Sequence, residues 1–541
     1  MLELNAKGLE NRTAWEELGY DLPKFDHEKM VKATKENPVW LHLGGGNIFR
    51  AFQANLMQKL LNSGEAESGL IAADGFDYEI VQKQYWPHDN YSILVTLKAD
   101  GSVEKTIIGS IGEACIMDPE NDEQWSRMQE IFSSASLQMV SFTITEKGYS
   151  LVNAKGEQMP AVTEDFAKGP AKPASYIGKV TALLYARYKA GEKPLALVSM
   201  DNCSHNGDKL KSAVSAYVNA WVQNGLVEEG FKAYALESGK VSYPWSMIDK
   251  ITPRPDASVE EILSKDGLDL TPVITSRKTY VAPFVNAEES EYLVVEDDFP
   301  NGRPALEKAG VMFTDRETVN KVEKMKVCTC LNPLHTALAV NGCLLGYTKI
   351  SEEMKDEDLL KLVKTVGYKE GLPVVVNPGI IDPKEFIDTV VNVRIPNPFM
   401  PDTPQRIATD TSQKLSIRFG ETIKAYLASD ELNVQDLKCI PYVLASWVRY
   451  LMAVDDEGNA FELSPDPLTP QVCEYVKDFK LGESYTVDEV KSKIMPLLKN
   501  AQIFGVDLEE AGLSDTVVEN FRKMLSGTGA VRSTLHAVVS E

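Results

Sequence analysis

The sequence predicts a two-part chain: an α/β domain over residues 1–305, followed by a mainly α-helical domain over 306–541. Three observations carry this. The first 74 residues hold a strand, a glycine turn, a helix and a second strand in immediate succession. Aliphatic runs of the kind that form buried parallel strands recur up to about residue 300. From about Glu307 the apolar residues recur at helical spacing over long segments. A chain of 541 residues has room for two large cores.

The elements follow in order. PVWLHL at 38–43 reads as a short buried strand, GGG at 44–46 as the turn, and IFRAFQANLMQKLLN at 48–62 as an amphipathic helix. GLIAAD at 69–74 is the second strand. Further strands are expected at 92–98, 104–111, 138–146 and 194–202, the last two buried and parallel. EDDFPNGRP at 296–304, with two prolines and a glycine, is a natural crossing point between the two domains. Beyond it, 317–342, 412–429 and 437–454 carry the helical pattern. No fixed-period repeat is visible.

Strand, glycine turn, helix and strand is the dinucleotide-binding arrangement, so the first domain reads as Rossmann-like. The glycine spacing is met at Gly44 and Gly46, whereas Phe49 stands where a third glycine is usual. Glycines let backbone approach a pyrophosphate, and a helix N-terminus supplies amides and partial positive charge. The cofactor loop is therefore assigned to Gly44, Gly46, Asn47, Ile48, Phe49 and Arg50. Asp74 closes the second strand, where a carboxylate can take both ribose hydroxyls and repel a 2′-phosphate, so NAD is expected. Asp77 is the rival in the same turn.

Charge excludes other classes. With 56 basic and 79 acidic residues the net charge is −23, which disfavours nucleic acid and anionic membrane surfaces as partners. The longest apolar stretches, such as 336–347, fall short of a membrane span. The opening MLELNAKGLENR lacks the positive start and apolar core of a secretory signal, so a cytoplasmic protein is expected, as a monomer or small homo-oligomer. Seven cysteines without framework spacing fit reduced thiols, and neither CxxC nor a histidine cluster offers a zinc shell. No metal is expected.

KVCTCLNPLH at 326–335 places Lys326, Asn332 and His335 within about three helical turns. These side chains can exchange a proton with an alcohol or ketone and hold a developing oxyanion. A lysine becomes a proton acceptor when burial and a neighbouring positive charge disfavour its charged form. Lys321 and Lys324 are local competitors, and Asn332 and His335, at i and i+3, share one helix face.

Seven motifs in order make the chain resemble the polyol-specific long-chain dehydrogenase family, the mannitol dehydrogenase and fructuronate reductase group. They are GxGxxxRA at 44–51, TEKGY at 145–149, SxDNxxxNG at 199–207, DKITP at 249–253, EDxFPxGRP at 296–304, LNxxH at 331–335 and NPxxxDTxxRIxxDxSxK at 397–414. The resemblance implies a zinc-independent, NAD-linked enzyme with Lys326 as general base, Asn202 and Asn332 as oxyanion donors and His335 orienting the substrate. It also implies Asp249 in the active-site network, Glu323 in proton exchange, Glu146 in the cofactor set, and Arg406 and Lys414 as substrate contacts. The family usually separates base and asparagine by five residues, whereas Lys326 and Asn332 are six apart. A helix bulge would be needed to absorb the extra residue. The partner is expected to be a sugar acid or polyol. The wording KVCTCLNPLHTALA lies nearer the mannonate oxidoreductase branch, so interconversion of D-fructuronate and D-mannonate, in hexuronate catabolism, is expected ahead of mannitol oxidation or tagaturonate reduction. A noncatalytic NAD-binding sensor is the alternative from a different class.

Overall fold

A computed structural model describes residues 2–540. They divide into two units, 2–97 with 102–320, and 321–540 with 98–101.

The first unit is built on a six-stranded parallel sheet: β1 (Trp40–Leu43), β2 (Leu70–Asp74), β3 (Ile111–Ile116), β4 (Met139–Phe142), β5 (Leu195–Ser199) and β6 (Val241–Ser242). In space the order is β3-β2-β1-β4-β5-β6. That is the doubly wound order, and it reverses direction between β1 and β4. Sheet alternation sorts the core into two layers. Leu41, Leu43, Val140, Phe142, Leu195 and Leu197 point to one face, under helices Asp122–Ser133, Tyr176–Lys189 and Asn206–Gln223. Trp40, Leu70, Ala72, Met139, Ala196 and Val198 point to the other, against helix α1 (Ala54–Ser63). With both faces covered, these strands are near-continuous apolar runs. Helix α1 ends at Gly64, whose φ of +76° suits the left-handed cap.

Some expected strands differ in extent or place. β4 stops at Phe142 because the amides of Ile144 and Thr145 donate instead to the Asp201 carboxylate, at 3.0 and 2.8 Å, and Thr145 takes a positive φ of 63°. The expected strands near 92–98 and 104–111 form an antiparallel pair, Ser92–Leu97 with Val103–Ile108, in a separate four-stranded sheet. The first unit also extends beyond residue 305. Met312–Thr314 pairs in parallel with Tyr292–Glu296, and that ladder keeps this stretch with the α/β unit.

The second unit is helical. Helix α2 (Asn332–Leu344) packs on helix α3 (Cys439–Tyr450), which is buried along its whole length. A polar tie fixes the pair: Tyr442 donates to Asn341 Oδ1 at 2.8 Å, and Asn341 Nδ2 donates to the Ala337 carbonyl. Among the described residues no helix is long and apolar enough to cross a membrane.

Candidate functional site

In the first unit the candidate site is the glycine turn after β1, at the point where the strand order reverses. Gly44 has φ +112°, and a Cβ there would lie 2.2 Å from the Thr143 carbonyl oxygen, so only glycine fits. Its amide donates to the Ala73 carbonyl at 2.9 Å. The Gly45 carbonyl accepts from Tyr85 Oη at 2.8 Å. Gly46 opens outward, and a Cβ there would meet nothing within 4 Å. The turn is thus anchored on both sides while one glycine keeps open space before it.

Beneath the turn, His42 bridges β1 and β4 through Ser141 (2.6 Å) and Thr143 (2.8 Å), and its ring stacks on Phe49 at 4.3 Å. Burial drives its pKa down to about 3, so the imidazole is neutral and serves as a spacer. Sequence reading missed His42, because a histidine inside an aliphatic strand carries no pattern of its own.

The expected cofactor residues behave unequally. Gly44, Gly46, Asn47 and Ile48 lie on the turn or its exit. Phe49 and Arg50 are buried, with their side chains turned inward. Buried Arg50 donates from Nη1 to the Ala282 carbonyl (2.6 Å) and Ser92 Oγ (3.2 Å), and from Nη2 to Asn47 Oδ1 (3.1 Å). Its guanidinium therefore ties helix to sheet. The helix itself begins with a π turn, Phe49–Gln53, before α1.

Asp74 ends β2 as expected, and its carboxylate accepts from the amides of Phe76 (2.8 Å), Asp77 (2.7 Å) and Gly45 (3.3 Å). Burial raises its pKa, and these three amides oppose the rise. Its rival Asp77 accepts from Thr275 Oγ1 at 2.6 Å. Near the ends of β4 and β5 lies an open groove of about 750 Å³ lined by Glu146, Tyr149, His205 and Lys209. Glu146 is exposed and ion-paired with Lys209. Asp201 gathers this corner, taking Tyr149 Oη at 2.6 Å besides the two amides. Asn206 does the same for the neighbouring strand: its Nδ2 donates to the carbonyls of Ser199, Asp201 and Ser246. These ties bring the turn carrying exposed Asn202 beside the strand Ser246–Asp249, at whose end Asp249 is buried.

In the second unit, Lys326 opens a π turn, Lys326–Cys330, that runs into α2. The wide turn closes through the Leu331 amide on the Lys326 carbonyl at 3.1 Å. This is the bulge that the extra residue between Lys326 and Asn332 requires. Burial separates the three lysines: Lys326 is 3% exposed, Lys321 is half-buried and Lys324 is exposed. Glu323 sits half-buried one turn before Lys326. Asn332 and His335, both half-buried, share a face of α2 with Thr336, whose hydroxyl donates to the Asn332 carbonyl at 3.1 Å.

Of the two expected substrate cations, Arg406 is 66% exposed and paired with Asp402, while half-buried Lys414 donates to the Thr409 carbonyl. Burial, then the nearby Arg418 charge, lowers the Lys414 pKa. Arg418 was missed by sequence reading. It reaches α2 directly, donating from Nη1 to Thr336 Oγ1 at 2.6 Å. Both cysteines of the turn are free thiols, and burial raises the Cys328 pKa to about 11. Among the described residues no group of three or more His, Cys, Asp or Glu is placed to hold a metal.

Comparison with known proteins agrees with both halves. Residues 39–308 match the model of the mannitol dehydrogenase Rossmann domain, and 318–525 that of the mannitol dehydrogenase C-terminal domain. The D-mannonate oxidoreductase of Thermotoga maritima is 52% identical over 541 residues, covering 99% of each chain. The D-mannonate oxidoreductase of Escherichia coli is 28% identical, covering 90% of this chain and 92% of its own. Among solved structures, Pseudomonas fluorescens mannitol 2-dehydrogenase, in a ternary complex with NAD and D-mannitol, aligns over 100% of both chains with a TM-score of 0.68 at 25% identity.

Proposed function

The chain belongs to the mannitol dehydrogenase family, and from that premise we propose that it is an NAD-dependent, metal-independent oxidoreductase interconverting D-fructuronate and D-mannonate. The observation that carries the reading is Lys326, a buried lysine on a π turn that leads straight into the face bearing Asn332 and His335. The full-length similarity to the Thermotoga D-mannonate oxidoreductase supports a sugar acid as substrate.

The first unit's residues fit a dinucleotide. Gly44 and Gly46 bring backbone close to a pyrophosphate, with the helix start behind them. Asp74 uses three of its four acceptor positions on backbone amides and retains capacity for a ribose hydroxyl, which favours NAD over NADP. Asn47, Ile48 and Glu146 complete that set. When bound, the nicotinamide supplies the hydride acceptor or donor.

Lys326 takes the hydroxyl proton as the carbinol C–H leaves as hydride and the carbonyl forms; in reduction it returns the proton. Asn202 and Asn332 hold the oxyanion, and His335 orients the hydroxyl. Glu323 passes the proton onward, Asp249 steadies the network, and Arg406 and Lys414 meet the substrate. The protein works in the cytoplasm as a monomer or small homo-oligomer, a state that mass measurement in solution checks.

The test is a panel of D-fructuronate, D-tagaturonate and D-fructose with NADH and NADPH. Fastest turnover of fructuronate with NADH is expected. A preference for fructose or tagaturonate would assign the chain to a mannitol or tagaturonate enzyme instead. Tight NADH binding without turnover of any substrate would make it a sensor.

A further inference from the structure

Among the described residues Arg418 is a cation without an anion. It lies on the π turn Ser416–Gly420, and its one hydrogen bond among them is the 2.6 Å contact from Nη1 to the Thr336 hydroxyl. Among the described residues no carboxylate pairs with it, and the nearest acidic neighbour in sequence, Glu421, pairs with Lys424 at 2.7 Å. A half-buried guanidinium has lost part of its hydration and ordinarily recovers it from a carboxylate or from several carbonyls. Buried Arg187 shows the second solution within this same protein, spending its guanidinium on five backbone carbonyls. Arg418 has neither. Burial alone lowers its pKa, to about 10, with no opposing charge to restore it.

Its position gives that vacancy a meaning. Thr336 accepts from Arg418 and donates to the Asn332 carbonyl, so the guanidinium rests on the first turn of α2, on the face bearing Asn332 and His335. Lys414 lies one helical turn earlier, and the two cations feel each other's charge. Two cations beside the face bearing Asn332 and His335, one of them with no carboxylate partner among the described residues, suit a substrate that itself carries a negative charge.

We propose that Arg418 is the specificity-determining residue that binds the carboxylate of the sugar acid, its free N–H groups forming a fork that Thr336 aims. This rests on the reading of the chain as a sugar-acid oxidoreductase. It adds a recognition residue distinct from the proton-transferring lysine and the oxyanion donors.

The experiment uses the full-length enzyme with NAD, following NADH formation from D-mannonate and from D-mannitol, in the wild type, Arg418→Gln and Arg418→Lys. Arg418→Gln is expected to lower kcat/KM for D-mannonate about 100-fold, mainly through KM, because one charge-assisted pair is lost. Added guanidinium ion should restore part of the loss, and NADH affinity should stay at the wild-type value. Arg418→Lys keeps the charge but not the fork, and should fall about tenfold. It carries the same test if the glutamine variant does not fold. Values for D-mannonate within threefold of wild type in both variants, or an equal loss on mannonate and mannitol without guanidinium rescue, overturn the assignment while leaving the proposed function standing. A wild type inert toward every sugar acid overturns the function itself, and the assignment with it.

Discussion

The glycine turn of the first unit and the lysine turn of the second are built alike and work differently. Each involves a π turn that runs into an α-helix, Phe49–Gln53 just after the glycines into α1 and Lys326–Cys330 into α2. In the first, the side chains turn inward: Phe49 stacks on His42, Arg50 ties to Ala282, and what faces outward is backbone at Gly46. In the second, the turn buries Lys326 and leads into the helix face that bears half-buried Asn332 and His335. The difference teaches that a widened turn is a device for aiming, and that what it aims depends on which residues can be spared from the core.

The largest expected effect tests the second turn. Lys326→Ala should lower kcat by roughly 10²–10⁴-fold while NADH binding persists, whereas Lys324→Ala, on the exposed face, should stay near wild type. Steady-state kinetics with NADH titration by fluorescence checks both, and equal losses in the two variants would remove the distinction that burial draws. Next comes the first turn. Gly44→Ala forces a methyl group onto the Thr143 carbonyl at positive φ and should cost about 2 kcal/mol or more of stability, with weakened NADH binding. Retention of both wild-type stability and wild-type NADH affinity would show that the turn tolerates a side chain and is no backbone site.

The smallest effect separates the carboxyl groups that support the two regions. Asp74 meets three amides, whereas Glu353, against Gly342 of α2, is buried with neither oxygen partnered. Burial raises the Glu353 pKa well above the ordinary carboxyl value of 4.5. The unfolded chain releases this proton near that ordinary value and the folded chain holds it. Stability from Glu353 is therefore full below pH 4.5 and is lost as pH rises from there through the raised folded value. Glu353→Gln should flatten that slope, gaining roughly 2–4 °C in melting temperature at alkaline pH. Parallel melting curves for the two proteins across pH would refute it.

Much of this was legible because its physics is local. A glycine before a helix, an aliphatic run and an asparagine–histidine pair at i and i+3 each advertise their structure through spacing. So did the extra residue between Lys326 and Asn332, since an insertion in a helix has few places to go. What spacing does not carry is direction. Spacing puts Arg50 in the cofactor loop but cannot show that its guanidinium donates to the Ala282 carbonyl, 232 residues away. His42 and Arg418 were invisible for the same reason, their roles being set by partners far off in sequence. The stretch to Asn320 stayed with the first unit through one strand ladder that no local pattern announces.

By itself, the amino-acid sequence determined the parallel-sheet unit, the helical unit and the glycine turn, because hydrophobic period and backbone permissiveness are properties of short segments. Tertiary structure alone decided which lysine is buried, which cation is spent on the core and which is left, among the described residues, without an anion. Desolvation and hydrogen-bond satisfaction are settled only when distant segments meet.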